Sequence, residues 1–375
     1  MEKRIVLTGG PGSGKTTVLN SIVNMYTSLG VKVVVVSETA TEIINSGIKP
    51  FGDDKIEMLD FQKLVLSLQL SKEKIYDEAI RMYQKVHPNE DILIIYDRGS
   101  IDNKAYITDE EFDAVMQSVC DDDYSTILNK YDLIIDLVGS KKFYTLENNK
   151  ARSESADVAL TLGEKTLRSW VGHPKVKIVG PKENMNDKVS EVVSYINELL
   201  SKKNQKKQAK YLVSIKDCNL LEISKNGVTA YIEQYYLSSP NNEEKRIRMT
   251  ILNGCPTYEL TVYEKEDNKK ILKSSKRIDK KIYDELKEFK LPSSSVIKKY
   301  RIYFTFMDTY MHLDLFTDGE EIEEFGYLEI NLNDEKIINI PPFISALKDV
   351  SSSPEYDNYS KSLSVSNYTL KKEVS

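Results

Sequence analysis

The stretch Gly9-Gly10-Pro11-Gly12-Ser13-Gly14-Lys15-Thr16-Thr17 constrains this chain more than any other, because it follows the apolar run Ile5-Val6-Leu7 directly. Strand, glycine-rich loop and helix in that order, with G-x-x-x-x-G-K-T spacing, define a phosphate loop of the Walker A kind. The chemistry asks for backbone before side chains. Gly9, Gly12 and Gly14 let successive N–H groups, including those of Ser13 and Thr17, turn inward around phosphate oxygens, where a bulky residue would block the approach. Lys15 supplies a positive charge for the outer phosphates and Thr16 a hydroxyl ligand for Mg²⁺. The helix from Thr17 to about Tyr26 points its positive end at the anion. The expected ligand is therefore a nucleoside triphosphate, ATP or GTP, with Mg²⁺.

At 375 residues the chain is long enough for about two domains, each with its own core. Its composition, 40% apolar and 29% charged, is that of a globular protein, and no apolar run approaches the roughly 18 residues of a membrane span. Cys120, Cys218 and Cys255 are odd in number and lack metal-ligand spacing, as expected of thiols in a reducing, cytoplasmic compartment. A net charge of −6 argues against specific nucleic-acid binding.

Over the first two hundred residues, apolar runs at Ile5–Leu7, Val33–Val36, Ile92–Tyr96, Leu133–Val138 and Val176–Val179 alternate with amphipathic stretches. This pattern predicts a parallel sheet with helices on both faces. A closing helix over Ser190–Leu200 and a Lys/Gln/Asn-rich stretch, Ser201–Gln208, set the boundary. The expected division is a nucleotide-binding domain at 1–200, a linker at 201–209, a second domain at 210–350 and a loosely packed tail at 351–375. The second domain carries eight short runs rich in Tyr, Val, Ile and Thr: Tyr211–Ile215, Leu220–Ser224, Val228–Leu237, Lys245–Leu252, Tyr258–Glu264, Val296–Met307, Tyr310–Phe316 and Gly326–Asn331. With one helical insert near Asp279–Lys290, they predict an antiparallel barrel or strongly curved sheet.

A phosphate loop needs an acid nearby, and Ile94-Ile95-Tyr96-Asp97-Arg98-Gly99 offers one where a strand ends. Asp97 reads as a Mg²⁺-water ligand, as the general base for an acceptor hydroxyl, or as a helix cap. The planar fork of Arg98 suits a transferring phosphoryl group. Glu38 follows the second strand in the same topological position and reads as a substrate-side acid or a helix-start Glu. Arg152 lies in a polar segment that reads as a cover for the phosphates or as a solvated loop.

Phe61-Gln62, Gln69, Glu73, the run from Asp97 to Tyr106, Phe143–Asn149 with Arg152, and Trp170-Val171-Gly172-His173-Pro174 together resemble a known P-loop domain. It is the domain shared by nicotinamide riboside kinases of the NadR type and the TRP-like translocation defect protein 14 group. The resemblance spans most of residues 1–200. It implies a kinase-like site with Asp97, Lys15, Arg98 and Arg152 in catalytic roles, and a Trp170–Pro174 region that, with the following loop, helps frame the base. Gly180-Pro181 replaces the Asp-Asn usual in that family. Read alone, His173 is a packed or capping histidine.

Residues 206–345 resemble the CYTH, or triphosphate tunnel, domain through Lys210–Val213, Tyr231–Leu237, Arg246-Ile247-Arg248, Tyr258–Val262, Ile297–Arg301, Leu313–Phe316 and Leu328–Ile330. The resemblance implies a barrel whose inward Lys210, Arg246, Arg248, Lys299 and Arg301 hold a phosphorylated ligand. Alternation agrees, since Arg246 and Arg248, like Lys299 and Arg301, share a strand face. Yet Lys206 and Gln208 stand at the acidic positions of the tunnel hydrolases, Lys273, Ser274, Ser275 and Lys276 replace a further acidic cluster, and Asp314 and Glu329 are the acids that stand out. Too few carboxylates remain to hold a catalytic metal, so triphosphate hydrolysis is the least expected activity. The leading expectation is a nucleotide-dependent regulatory or trafficking protein with a barrel for a phosphoinositide or other polyphosphate and peripheral membrane contact. The competing expectation is a small-molecule kinase acting on a nucleoside or nicotinamide riboside-like alcohol.

Overall fold

The computed structural model describes residues 1–140, 156–200, 208–225, 227–239, 243–266, 269–307, 309–331 and 338–363. Arg152, Phe143–Asn149 and Lys206 lie outside the described residues. Two compact units divide the chain, Met1–Leu200 and Ser201–Ser375.

The first unit runs β1 (Glu2–Thr8), α1 (Lys15–Ser28), β2 (Lys32–Val36), α2 (Thr39–Asn45), α3 (Met58–Val86), β3 (Ile92–Asp97), a 3₁₀ turn (Ser100–Ala105), α4 (Asp109–Val119), α5 (Tyr124–Leu128), β4 (Leu133–Leu137), α6 (Ala156–Ser169), β5 (Val176–Val179) and α7 (Met185–Leu200). The five strands form a parallel sheet in the order β2-β3-β1-β4-β5. Side chains alternate across it. Ile5, Leu7, Leu93, Ile95, Leu133, Ile135 and Leu137 pack on Val18, Ile22 and Tyr26 of α1 and on Val192 and Ile196 of α7. Burying each such side chain contributes about 1.5–3 kcal/mol. Leu7 stands opposite Asp97 and Thr8 opposite Asp136. The carboxyl ends of β1, β3 and β4 therefore meet at the phosphate loop, the edge where open α/β sheets hold ligands. No described helix is long and apolar enough to cross a membrane.

The second unit runs β6 (Gln208–Ser214), α8 (Leu220–Lys225), β7 (Val228–Leu237), β8 (Glu243–Leu252), β9 (Cys255–Glu266), β10 (Lys269–Arg277), α9 (Lys280–Lys287), β11 (Ile297–Phe306), β12 (Thr309–Asp318), β13 (Glu321–Ile322), β14 (Phe325–Asn331), β15 (Ala346–Asp349) and α10 (Asn358–Ser362). The strands form one antiparallel sheet, β10-β9-β8-β7-β11-β12-β14-β6-β15, with β13 beside β12. Among the described residues its two edges, β10 and β15, do not pair, so of the expected barrel or strongly curved sheet no closed barrel is found. Leu220–Ser224, expected as a strand, is helix α8, because the Asn219 side chain accepts the Glu222 N–H at 3.2 Å and starts a helical turn. Residues 351–363, expected to pack loosely, form a 3₁₀ turn and α10, with Tyr356 and Ser362 buried.

Candidate phosphate-loop site and the second unit's cationic face

The loop works by close approach. Gly9 has φ 131°, and a Cβ on it would lie 2.2 Å from the Leu137 carbonyl oxygen at the end of β4. Lys15 Nζ donates to the Gly9 and Gly10 carbonyls at 3.0 and 3.3 Å. Burial, helped by the Arg98 charge, brings Lys15 down to about 8 against the pull of Glu38 and Asp97. From α7, Lys188 Nζ donates to the Ser13 and Val138 carbonyls at 2.8 Å each, tying the loop to the end of β4. Beside it burial, with the Asp102 charge behind it, pushes the Asp136 carboxyl up to about 7.

On the β3 side, Arg98 adopts φ 69°, a left-handed conformation that costs a non-glycine residue roughly 1–3 kcal/mol. Its N–H is held by the Leu7 carbonyl at 3.1 Å. Arg98 Nε donates to Glu38 Oε1 at 2.6 Å, so the two expected site residues are partners. Burial acts to raise the Glu38 carboxyl, but Arg98 and then Lys15 outweigh it and hold it near about 2. Burial, and then the Glu38 charge, push Asp97 up from the ordinary carboxylate value. Asp97 Oδ1 and Arg98 Nη1 are buried without hydrogen-bond partners among the described residues.

Asp102 locks this corner. Its Oδ1 accepts from Thr8 Oγ1 and, at 3.0 Å, from Trp170 Nε1, while Oδ2 accepts the Gly99 N–H at 2.7 Å. Trp170 is fully buried, and a Cβ on Gly99 would come within 2.8 Å of its ring. In the Trp170–Pro174 region, Trp170, Val171, Gly172 and His173 are buried, and no residue of the region lines the cavity at the loop. His173 is structural, seated between the Tyr131 and Lys175 carbonyls and brought down to about 4 by burial.

A cavity of about 740 Å³ joins the phosphate loop, Glu38, Asp97 and Arg98 to a wall made by α2, α3 and the loop between them. Thr16 and Thr17 also line it. The wall offers Ile44, Phe51, Phe61 and Val65 as apolar surface. It also offers Gln62 Oε1, and the 3₁₀ turn adds Asn103 Nδ2, both buried without partners among the described residues. A second buried chain, Thr39 to Gln69 to Glu73, fixes α3 against the sheet: Glu73 Oε1 accepts from Gln69, Ser100 and Tyr131 at 2.9, 2.9 and 2.7 Å, and Lys130 pairs with Oε2 at 2.7 Å. Gln69 and Glu73, read in the sequence as motif residues, thus act as supports.

In the second unit the five expected cations share one sheet face but are largely spoken for. Lys299 Nζ donates to Asp314 Oδ2 at 2.5 Å, and Arg301 forks onto both Asp314 oxygens at 2.7 and 2.8 Å. Lys210 Nζ lies 3.5 Å from Glu329 and donates to the Tyr356 carbonyl at 2.8 Å. Arg248 reaches the neutral Gln234 amide oxygen at 3.0 Å, while Arg246 Nε is buried without a partner among the described residues. Besides Asp314 and Glu329, Glu244 and Glu259 stand on this face, the first buried and the second held near about 2, where Arg248 and Arg246 outweigh its burial. His312, Asp314 and Glu329 bring one ligand atom each within 4.8 Å, but both Asp314 oxygens already hold cations and Glu329 accepts from His312 at 2.9 Å. Gln208 Nε2 donates to Asn331 Oδ1 at 2.9 Å.

A family model described as an AAA domain matches residues 4–188. Among curated proteins none matches the chain. A solved thymidylate kinase from Ehrlichia chaffeensis is 15% identical, with 52% of this chain and 98% of that one covered at a TM-score of 0.34. A solved inorganic triphosphatase is 20% identical, with 42% and 94% covered at 0.31. The loop geometry and the family match over 4–188 together make the first unit a P-loop nucleotide-binding domain, followed in the chain by an antiparallel-sheet unit.

Proposed function

We propose that the P-loop unit transfers the γ-phosphoryl group of ATP or GTP to the hydroxyl of a small acceptor held in the cavity. The observation that carries this reading is Asp97, whose partnerless buried oxygen lies in the same cavity as Lys15, Arg98 and an enclosing wall. The acceptor oxygen forms a bond to phosphorus as the bond to the β,γ-bridging oxygen breaks. Its proton passes to Asp97 and the nucleoside diphosphate leaves. Lys15 and the free Nη1 of Arg98 face charge on the moving phosphoryl group. The Thr16 hydroxyl is an oxygen donor of the kind that Mg²⁺ takes, and the ion would neutralise phosphate charge when bound there. Gln62 and Asn103 offer the acceptor one hydrogen-bond acceptor and one donor beside an aromatic surface.

Screening γ-labelled ATP and GTP against nucleosides, nicotinamide riboside and related alcohols is expected to label an acceptor. Gln62→Leu should then raise KM for that acceptor by about 10–100-fold with kcat little changed, the cost of one lost buried hydrogen bond. Label reaching no acceptor counts against the reading.

For the second unit, the partnerless Nε of Arg246, beside an Arg248 held by a neutral amide, supports a phosphorylated ligand such as a phosphoinositide or another polyphosphate. Arg246→Ala with Arg248→Ala is expected to cut binding of phosphoinositide vesicles and of free inositol phosphates alike by tenfold or more. Loss with vesicles only assigns a lipid surface, and unchanged binding of both removes this reading.

A further inference from the structure

Helix α3 uses one face for the core and the cavity and leaves another bare. Phe61, Gln62, Val65, Leu66, Gln69, Glu73 and Ile80 are buried. On another face Leu64, Leu68, Ile75, Met82 and Val86 are 44%, 37%, 64%, 64% and 73% exposed. At 100° per residue these five fall within about 40° of one another, a single stripe roughly 33 Å long. Ser71 and Ala79 lie on the same stripe, and the Ser71 hydroxyl is turned back onto the Ser67 carbonyl at 2.9 Å.

The order of side chains along the stripe is palindromic about Ile75. Small residues, Ser71 and Ala79, stand four positions to either side; Leu68 and Met82 stand seven to either side; Leu64 and Val86 stand eleven to either side. A stripe that reads the same from both ends complements itself when two copies cross antiparallel about a two-fold axis through Ile75. Ile75 then meets Ile75, the small residues allow close approach around it, Leu68 faces Met82 and Leu64 faces Val86. Charge follows the same symmetry. Lys74 and Glu78, both exposed, lie on one flank of the stripe, and the two-fold brings Lys74 of each copy beside Glu78 of the other.

We propose that this chain self-associates through the exposed face of α3, a second copy being the occupant, in an antiparallel two-fold helix pair centred on Ile75. Both faces of α3 are then in use, one lining the cavity and the other building the dimer.

Sedimentation of the full chain tests this. A concentration-dependent monomer–dimer equilibrium is expected, and Ile75→Glu, which places two carboxylates on the axis, should raise the dimer dissociation constant by roughly thirtyfold or more. Circular dichroism of that variant checks that the fold is kept. Lys74→Glu or Glu78→Lys alone should weaken the dimer several-fold, and the two together should restore it. Ile75→Cys should cross-link between copies under mild oxidation, whereas Lys63→Cys and the parent chain should not. A parent chain that stays monomeric, the stripe being covered by some other partner or by none, overturns the proposal. So does a dimer that survives Ile75→Glu, and charge reversals without mutual rescue overturn the antiparallel register.

Discussion

Asp97→Asn is expected to slow phosphoryl transfer by about 10²–10⁴-fold while nucleotide affinity changes far less, the range for a positioned general base. The size follows from the surroundings of the carboxylate. It sits at the end of β3, half-buried, with one oxygen buried and without a partner and with Arg98, Glu38 and Lys15 disposed around it. Asn keeps the shape and removes the basicity, so kcat falls and the packing stays. Because burial and the Glu38 charge raise the Asp97 pKa, the proton-accepting form is lost on acidification at a higher pH than for an ordinary aspartate. The acid limb of the parent protein should therefore lie at a higher pH than an ordinary aspartate would give, and initial-rate pH profiles measure it. An acid limb unchanged in Asp97→Asn would place the base elsewhere.

Asp314→Ala is expected to destabilise the second unit by about 3–5 kcal/mol, the cost of stranding buried partners of an ion pair. Lys299 and Asp314 have no exposed side-chain surface and Arg301 has 11%, so water cannot replace the lost carboxylate. Burial alone would raise the Asp314 pKa, but Arg301 and Lys299 outweigh it and hold the carboxyl well below the usual range. With the folded value below the unfolded one of about 3.9, its contribution is fully present above that unfolded value and is lost as pH falls toward the folded value. Denaturant unfolding followed in the second unit checks both statements. Adding Lys299→Met to Asp314→Ala should cost less than Lys299→Met does in the parent, since the lysine no longer has a carboxylate to lose.

What was legible in the sequence is what local backbone chemistry encodes. Gly9, Gly12 and Gly14 spell out a loop, and Asp97 ends, and Glu38 follows, strands whose apolar runs are unmistakable. The partnership of Glu38 with Arg98 was hidden, because 60 positions separate two residues that only the sheet order brings together. Lys188 reads as one more polar helix residue, yet it holds a loop 175 positions away. Asp102 and Trp170 were visible as motif residues, but only tertiary packing turns them into a lock under Gly99. In the second unit, β10 carries no strand signal in the sequence, because Lys269, Lys270, Lys273 and Lys276 make it an edge strand without clean apolar alternation. The cationic pairs were legible from alternation, whereas the neutralisation of Lys299 and Arg301 by Asp314, and the pairing of Lys210 with Glu329, come from neighbouring strands. Barrel closure is a pairing between chain-distant edges, which no local pattern specifies.

The fate of the γ-phosphoryl group tests the central claim most directly. With γ-labelled nucleotide, Mg²⁺ and a pool of small hydroxyl compounds in single turnover, the account predicts label on an organic acceptor in the parent protein and almost none in Asp97→Asn at equal nucleotide occupancy. Label released only as inorganic phosphate, at the same rate in both proteins, would contradict it.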